Sequence, residues 1–546
     1  RRRRSTAADH CMEASAAKAL TYAQVLAELS SDRPFANGIP DVLTVTDFPR
    51  VFFVPSNALT YRVIASADEA ALAMSDGGMP AIVLPAVVLS RMTVEKTLSC
   101  KYWIFGSNVD MRRAIFKARV DLSDATFSMI DAGEAVFGDT LDLTKARFER
   151  EANFWKATFE REVLLRFSRF HAMAYFSGVR AKGDFVMSAA EVRGKATFSS
   201  AVFMGDASFG ETVFHAKTDI SDVQFHRWAN FSEAHFIAEA DFIRTVFHAR
   251  ATFENVTFDT WADFKQMKLN GMFDMNVAVF KSGSHFSEMT VNAFARFNRI
   301  TFYGYTGMQN IVIGEKGEIA LSFSTFRERA DISFRDGDIA GRINFRKVDF
   351  RERCEIPWGA LSKHNARSLV VYTDGKPDMD RTVENLFILK RTYETLGRHD
   401  EEKQVYYLYK VFERKARYGG RHDLVSKLRS AAEWFLLDVV SRYFTSYGRV
   451  IMVIFCIWLA AAAFYTAGSA FPSLGIGGLL YGTEKPLREM AMASGYPPLI
   501  YIFSKALYFS MVSFTTIGFG DFNPTGIIAF IAALEGFSGM LLSALL

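Results

Sequence analysis

The chain has 546 residues, with 64 Lys and Arg against 60 Asp and Glu, a formal net charge of +4, and 50% hydrophobic residues. This near balance of charge excludes both a strongly basic nucleic-acid binder and a strongly acidic mimic of one. Cys11, Cys100, Cys354 and Cys456 are too dispersed for a disulfide framework or a metal cluster, so no structural metal is expected.

Residues 1–110 carry a helical pattern from Met12 to Leu29, then short apolar runs such as Ala81 to Leu89, broken by Pro85. They are expected to cap the open end of the domain that follows. Because the chain opens on Arg1 rather than Met and closes on an apolar run, segments beyond both ends are expected.

From residue 111 to about 356 a repeat dominates. Stepping by 11 from Phe137 gives Phe148, Phe159, Phe170, Ala181, Val192, Phe203 and onward to Phe302. A second series interleaves through Phe154, Leu165, Phe176, Met187, Phe198, Phe209 and onward to Phe297, so the spacings alternate six and five. An α-helix would turn the two series to different faces, and a single strand would send odd steps to opposite sides. Only a chain that turns a corner every five or six residues brings them all inward, which describes a solenoid. Small residues two places earlier, such as Ala152, Ala157, Ala174, Ala196 and Ala229, would share the inward face. Stretches such as Ala-Asn-Phe-Trp-Lys-Ala-Thr-Phe at 152–159 resemble the pentapeptide-repeat family. That resemblance implies a right-handed quadrilateral β-helix, two 11-residue units making one coil of 22. A glycine-rich loop is expected over 303–320, with the phase resuming at Phe323, Phe334, Phe345 and Phe350 and an irregular start at Phe116 and Phe127. Phe137 to Phe302 holds 20 acidic and 20 basic residues, which argues against mimicry of DNA and against a nucleic-acid partner. His171, His215, His226 and His248 each follow an inward position, with His226 and His248 placed to stack one coil apart.

Residues 357–420 read as a linker and a helical hairpin, Asp380 to Leu396 and Asp400 to Arg417, with Gly397 at the turn and Asp400 as N-cap. Residues 421–449 place Leu424, Leu428, Trp434, Phe435 and Val439 among Lys and Arg, as an amphipathic helix lying at a membrane interface does.

Residues 450–546 contain an uncharged apolar run at 450–467, a second at 499–514 behind Pro497-Pro498, and a third at 527–546 whose only charge is Glu535. Between the last two stands Thr515-Thr-Ile-Gly-Phe-Gly-Asp521. A dehydrated cation needs oxygens in place of its hydration shell, and backbone carbonyls supply neutral oxygens at every residue. A row of carbonyls on one side requires unusual dihedrals, which Gly518 and Gly520 adopt cheaply. The string resembles the potassium-channel selectivity filter, and helix, re-entrant helix, filter, helix resembles the two-transmembrane potassium channels. The resemblance implies ion ligands at Thr516, Ile517, Gly518, Phe519 and Gly520, with Thr515, Ser513, Asp521 and Glu535 as support. Ile517 and Phe519 would point backward and wedge the loop. Phe519 stands where the family usually has Tyr, and Val512 where some members carry a Glu, so Asp521 needs another partner. Glu535 would accept from Ser513 or Thr515 behind the filter, concentrate cations in the cavity, or serve as a structural, hydrogen-bonded carboxyl. Gly536 and Gly539 are candidates for a gating hinge or for close helix packing.

The fold class expected is therefore multidomain: a β-helical solenoid, an α-helical connector and an all-α transmembrane pore module. The ten Lys and Arg from Glu401 to Arg449, against Lys485 and Arg488 between the first helix and the pore helix, put the N-terminal domain in the cytoplasm and the chain in the cell membrane as a multi-pass protein. One filter segment per chain implies a homotetramer. The expected function is K+ conduction without enzymatic activity or cofactor, with the β-helix as a regulatory or scaffold domain and an unknown cytoplasmic regulator as its candidate partner. A non-selective cation channel and a membrane-anchored binding scaffold are the alternatives. No voltage sensor and no nucleotide fingerprint precede the pore.

Overall fold

A computed structural model describes five short strands before residue 86 and then residues 86–334, 339–419, 423–482 and 485–544. The chain folds as two units, Arg1–Pro377 and Asp378–Leu546.

The first unit is a β-solenoid of about 12 turns over residues 87–355. Its strands are mostly two residues long, and each pairs in parallel with the strand 22 residues on, as Phe137 with Phe159, Leu141 with Val163, Phe148 with Phe170 and Ala152 with Ala174. Four such strands complete a coil. So short a strand leaves one side chain to point inward, and that is the Phe of each unit or the small residue two places before it. Phe154, Phe159, Phe170 and Ala174 are at most 1% exposed. Rings one coil apart stack, Phe203 on Phe225 at 5.1 Å and Phe209 on Phe231 at 4.8 Å, near the spacing of neighbouring strands. Rings of the two series meet edge to face, as Phe225 and Phe231 do at 89°.

The alternation of six and five has a backbone cause. Each five-residue step contains a left-handed residue, recurring every 11 positions at Lys145, Lys156, Phe167, Gly178, Ala189, Ser200 and Glu211. At Phe154 to Ala157 the Ala157 N–H donates to the Phe154 carbonyl (3.0 Å) around Lys156 at φ 53°. Polar residues just before the second-series position hold these corners. The side chains of Asn153, Asp219 and Asp263 accept from the N–H groups of Trp155, Ser221 and Lys265 at 2.9, 3.0 and 2.9 Å.

Three boundaries differ from the sequence expectation. The coils begin well before residue 111: Val87–Val88, Thr93–Val94, Leu98–Ser99 and Ile104–Asp110 already pair in register with later strands. Leu89, Leu98 and Cys100 are buried there and Phe105 is the single Phe, stacked on Phe127 at 4.9 Å, so a period read from Phe starts late. The expected loop at 303–320 is instead an eight-residue strand, Thr306–Ile313, followed by a turn in which Gly317 N–H donates to the Gly314 carbonyl (2.8 Å). A Cβ on Gly317 would meet the Val291 carbonyl oxygen at 2.2 Å, so this glycine is required by coil stacking. Beyond it the coil lengthens to 24 residues, Phe302 pairing with Phe326 and Phe326 with Phe350. Phe323 is consequently a corner residue, 41% exposed at φ 62°, and Phe326 takes the inward place. Residues 358–371 are likewise no linker. Helix α1 (Trp358–Ala366) and the turn Arg367–Leu369 bury Trp358, Leu361 and Leu369, and they close the C-terminal end of the stack. The helix expected from Met12 to Leu29 lies largely outside the described residues, and its Lys18–Leu20 is a strand paired with Val42–Val45.

The second unit is helical: α2 (Met379–Thr395), α3 (His399–Tyr418), α4 (Leu424–Glu433), α5 (Tyr447–Ala470), α6 (Leu487–Ala493), α7 (Pro498–Phe514) and α8 (Ile527–Ser543). Asp378 caps α2 by accepting from Arg381 N–H at 3.0 Å. Asp400, the expected N-cap of α3, sits inside its first turn, where Asp400, Glu401 and Glu402 together face the positive helix end. Leu386, Leu389, Tyr393, Val405 and Phe412 form the hairpin seam. After α4, a six-residue π-helix (Trp434–Val439) leads toward α5.

Candidate functional site

Helix α5 has 24 residues and, at about 1.5 Å per residue, is long enough to cross a bilayer. Helices α7 and α8 are equally apolar but have 17 residues each. All three pack together through Tyr465 of α5, Ile502, Ala506 and Phe509 of α7, and Ile528 of α8. Ala461 and Ala462 keep α5 and α7 close. Cross-bonds follow: Trp458 Nε1–H donates to the Leu507 carbonyl and Ser510 Oγ–H to the Trp458 carbonyl, both at 3.0 Å.

The segment Thr515–Asp521 leaves the C-terminal end of α7, whose negative dipole end favours a cation nearby. Its backbone alternates: Thr516 (φ 58°), Gly518 (φ 58°) and Gly520 (φ 75°) are left-handed, with Ile517 and Phe519 between them. No atom lies within 4 Å of a Cβ built on Gly518 or Gly520, so the sequence needs glycine there for φ and not for space. Thr516 holds the same conformation with a side chain, which costs about 1–2 kcal/mol. Local bonds oppose that cost: Thr516 N–H to the Ser513 carbonyl (3.1 Å), Ile517 N–H to the Val512 carbonyl (3.2 Å), and Thr516 Oγ–H to the Thr515 carbonyl (2.7 Å). Thr515 Oγ–H donates back to the Met511 carbonyl at 2.8 Å.

A small antiparallel sheet anchors the far end. Phe522–Pro524 pairs with Leu479–Tyr481, which pairs with Lys485–Pro486. Gly482 N–H donates to the Asp521 carbonyl (2.9 Å), and Asn523 Nδ2–H to the Gly482 carbonyl (2.6 Å). The chain between α5 and α7 thus clamps the strand that follows the segment. The carboxylate of Asp521 interacts with the Tyr508 hydroxyl, one turn above Val512 on α7.

Two expectations change. The Ile517 and Phe519 side chains are 59% and 67% exposed in the single chain. Among the described residues they are not buried against the pore helix, as the expected wedge would require within one subunit. Glu535 contacts neither Ser513, Thr515 nor Asp521. It is 4% exposed, one carboxylate oxygen accepting from Tyr465 OH (2.5 Å) and the other sharing the Ser510 hydroxyl proton with the Trp458 carbonyl. One carboxyl thereby ties α8 to α5 and α7, which is the structural alternative. Gly536 and Gly539 face the end of α7. A Cβ on Gly539 would lie 1.9 Å from the Phe514 carbonyl oxygen and one on Gly536 3.2 Å from that of Ser513, so close packing accounts for both. Tyr465, Ser510 and Tyr508 were missed in the sequence. Hydroxyls inside apolar helices were the available signal.

His171, His215, His226 and His248 lie at the coil surface. His226 and His248 stack at 4.6 Å, while His171 faces Glu149 at 3.7 Å and His215 faces Glu191 at 3.5 Å.

Two family comparisons meet these observations. Residues 496–546, from the start of α7 through the alternating segment to α8, match the family described as Ion channel. Residues 220–268, inside the coils, match the family described as Pentapeptide repeats (9 copies). The chain fuses pentapeptide repeats to an ion-channel domain. No curated protein and no solved structure matches it. The channel domain makes it a membrane protein, and neither family is enzymatic. The channel family match begins at 496, so α5 joins the channel domain through its packing and bonds to α7.

Proposed function

We propose that the chain conducts K+ selectively, as one of four identical subunits around a shared axis. The observation that carries this reading is the alternation of left-handed Thr516, Gly518 and Gly520 with Ile517 and Phe519 in an exposed segment fixed at both ends. Such a backbone is what a row of carbonyls facing one side demands, and Thr516 to Gly520 are its ion ligands. Exposure of Ile517 and Phe519 supports the tetramer: the neighbouring subunit supplies the packing that their own chain lacks. Helices α5 and α8 cross the membrane, α7 re-enters from outside, and the solenoid is a cytoplasmic regulatory element. K+ is the permeant ion, and no cofactor has a role.

Reversal potentials across a bilayer containing the reconstituted chain test this reading. Under a K+/Na+ gradient the potential should follow K+. A potential indifferent to that gradient would mean a non-selective pore. Gly518→Val places a β-branched residue where φ is 58° and should abolish current with the solenoid still folded; surviving current would overturn the ligand assignment.

A further inference from the structure

The outer face of the early coils carries a cleft of about 480 Å³, lined by Arg91, Arg112, Asp131, Gly133, Asn153 and Trp155 among others. Coil stacking makes it. Asp110, Asp131 and Asn153 pair in register on successive coils, so two residues further on Arg112, Gly133 and Trp155 form one outward column. Inside the solenoid, Phe rings on successive coils stack 4.5 to 5.4 Å apart. In this outward column the middle rung has no side chain, and a flat guanidinium and a flat indole stand two rungs apart, roughly 9–10 Å.

A glycine rung is not by itself a gap. At Gly283 the indole of Trp261, one coil before, folds over the glycine, with a ring carbon 2.2 Å from where a Cβ would stand. At Gly133 neither the guanidinium nor the indole does so: the atoms nearest its Cβ position are Asp131 Oδ1 at 3.2 Å, Asn153 Nδ2 at 3.7 Å and the Trp155 carbonyl oxygen at 3.8 Å. Asp110 grips the edge of Arg112, accepting from Nε at 2.9 Å and Nη2 at 2.7 Å, which leaves the guanidinium faces for stacking. The Lys156 ammonium lies over the Trp155 ring at 4.3 Å, and the indole is still 42% exposed. Asp131 Oδ1 accepts from Gly133 N–H and Asn153 Nδ2–H at 3.1 and 3.0 Å. Its Oδ2 meets only Arg112 Nε among the described residues, at 3.7 Å, too long for a hydrogen bond. Arg91 has no acidic partner among the described residues.

We infer that this slot binds an adenine nucleotide. The base fills the vacant rung between Arg112 and Trp155, its exocyclic amine donates to Asp131 Oδ2, and its phosphate reaches Arg91. Guanidinium and indole walls select a flat π-system, the carboxylate oxygen selects a donor on its edge, and the unmatched guanidinium selects an anionic arm. Because the site is built by stacking across coils, it leaves no contiguous phosphate-binding motif in the chain. It is independent of ion selectivity.

The test is titration calorimetry of the full chain in neutral detergent with adenosine monophosphate, inosine monophosphate, adenosine and ribose 5-phosphate. Adenosine monophosphate should bind and ribose 5-phosphate should not. Inosine monophosphate, with a carbonyl in place of the amine, and adenosine, without the phosphate, should each bind at least about tenfold more weakly. Trp155→Ala should weaken adenosine monophosphate about tenfold, and Gly133→Leu should abolish its binding by filling the rung. Trp228→Ala, which removes an exposed indole of a distant coil, should leave it unchanged. Undetectable binding, or equal binding by Trp155→Ala and Gly133→Leu, overturns the site. Equal binding of ribose 5-phosphate overturns the stacked base, of inosine monophosphate the Asp131 contact, and of adenosine the Arg91 contact. A pore that fails to select K+ leaves all of these outcomes readable.

Discussion

Val277 occupies a solenoid corner at φ 61°, with its side chain 41% exposed. A β-branched residue is at its worst there, because the left-handed region costs a side chain about 1–2 kcal/mol and the exposed methyls regain little. Glycine removes that cost but loses about 0.5–1 kcal/mol through its freer unfolded chain. Val277→Gly should therefore stabilise the solenoid by about 0.5–1 kcal/mol in denaturant unfolding followed by β-sheet ellipticity; destabilisation would show that the corner is set by side-chain contacts. At Glu535 the buried carboxyl depends on its two hydroxyl partners. Tyr465→Phe leaves one oxygen of a buried carboxyl without its donor and should cost the channel domain about 1–3 kcal/mol while leaving the K+/Na+ reversal potential unchanged. A shifted potential would return Glu535 to the ion path. That partnership was not legible in the sequence: the tyrosine is 70 residues away on another helix, and neighbours along the chain, Ser513 and Thr515, were nearer only in number. His226 and His248, by contrast, were legible, since a 22-residue separation in a solenoid is adjacency. Partial desolvation at the coil surface, then the positive charge of His226, pushes the exposed His248 imidazole below its usual range. The unfolded chain then binds a proton at about pH 6.5 that the folded chain takes up only at lower pH. The coil stack should thus lose a little thermal stability as pH falls below 6.5, and His248→Gln should flatten that part of the profile.

At the scale of elements, periodicity was readable wherever one residue type carried it. The 22-residue coil followed from the Phe spacing because each two-residue strand exposes a single side chain to the core, so no other inward position could hide the period. It failed where that condition failed, in the early coils where Phe105 is the single inward Phe, and after Gly317, where two added residues per coil put the inward place at Phe326 and not at position 324, leaving Phe323 at the corner. Phe323 is not idle at its corner: Arg346 and Lys347 lie over its ring at 5.0 and 5.3 Å, a cationic setting that an inward Phe never has. The coil as a unit can be tested directly. Deleting residues 214–235, one full coil, rejoins strands in their existing register, whereas deleting 20 residues from the same place puts each later Phe out of phase with the core. The first deletion should keep cooperative thermal unfolding of β structure, with less amplitude in proportion to length, and the second should abolish it. If both behave alike, stacking of individual Phe rings is not what fixes the register.

For the whole molecule, the question left by the channel domain is what the solenoid contributes to it. Contacts divide the chain at Pro377 and Asp378, and each side has its own core: stacked Phe ladders in one, the three-helix cluster around Tyr465 and the hairpin seam in the other. Units that bury their own apolar surface are expected to fold apart. Residues 378–546 alone should therefore insert, assemble and show the same reversal potential as the full chain, because every residue named in the conduction segment and its supports lies within them. Open probability is the discriminating readout. Coupling requires that the solenoid interact differently with the open and closed pore, and a domain without that difference shifts nothing, however large it is. If single-channel recordings of 378–546 and of the full chain differ in open probability at equal conductance, the solenoid biases gating, by a free energy given directly by the ratio of the two equilibria. If both quantities agree, the coils are a scaffold carried by a channel that does not sense them, and the search for a partner moves to their charged outer columns.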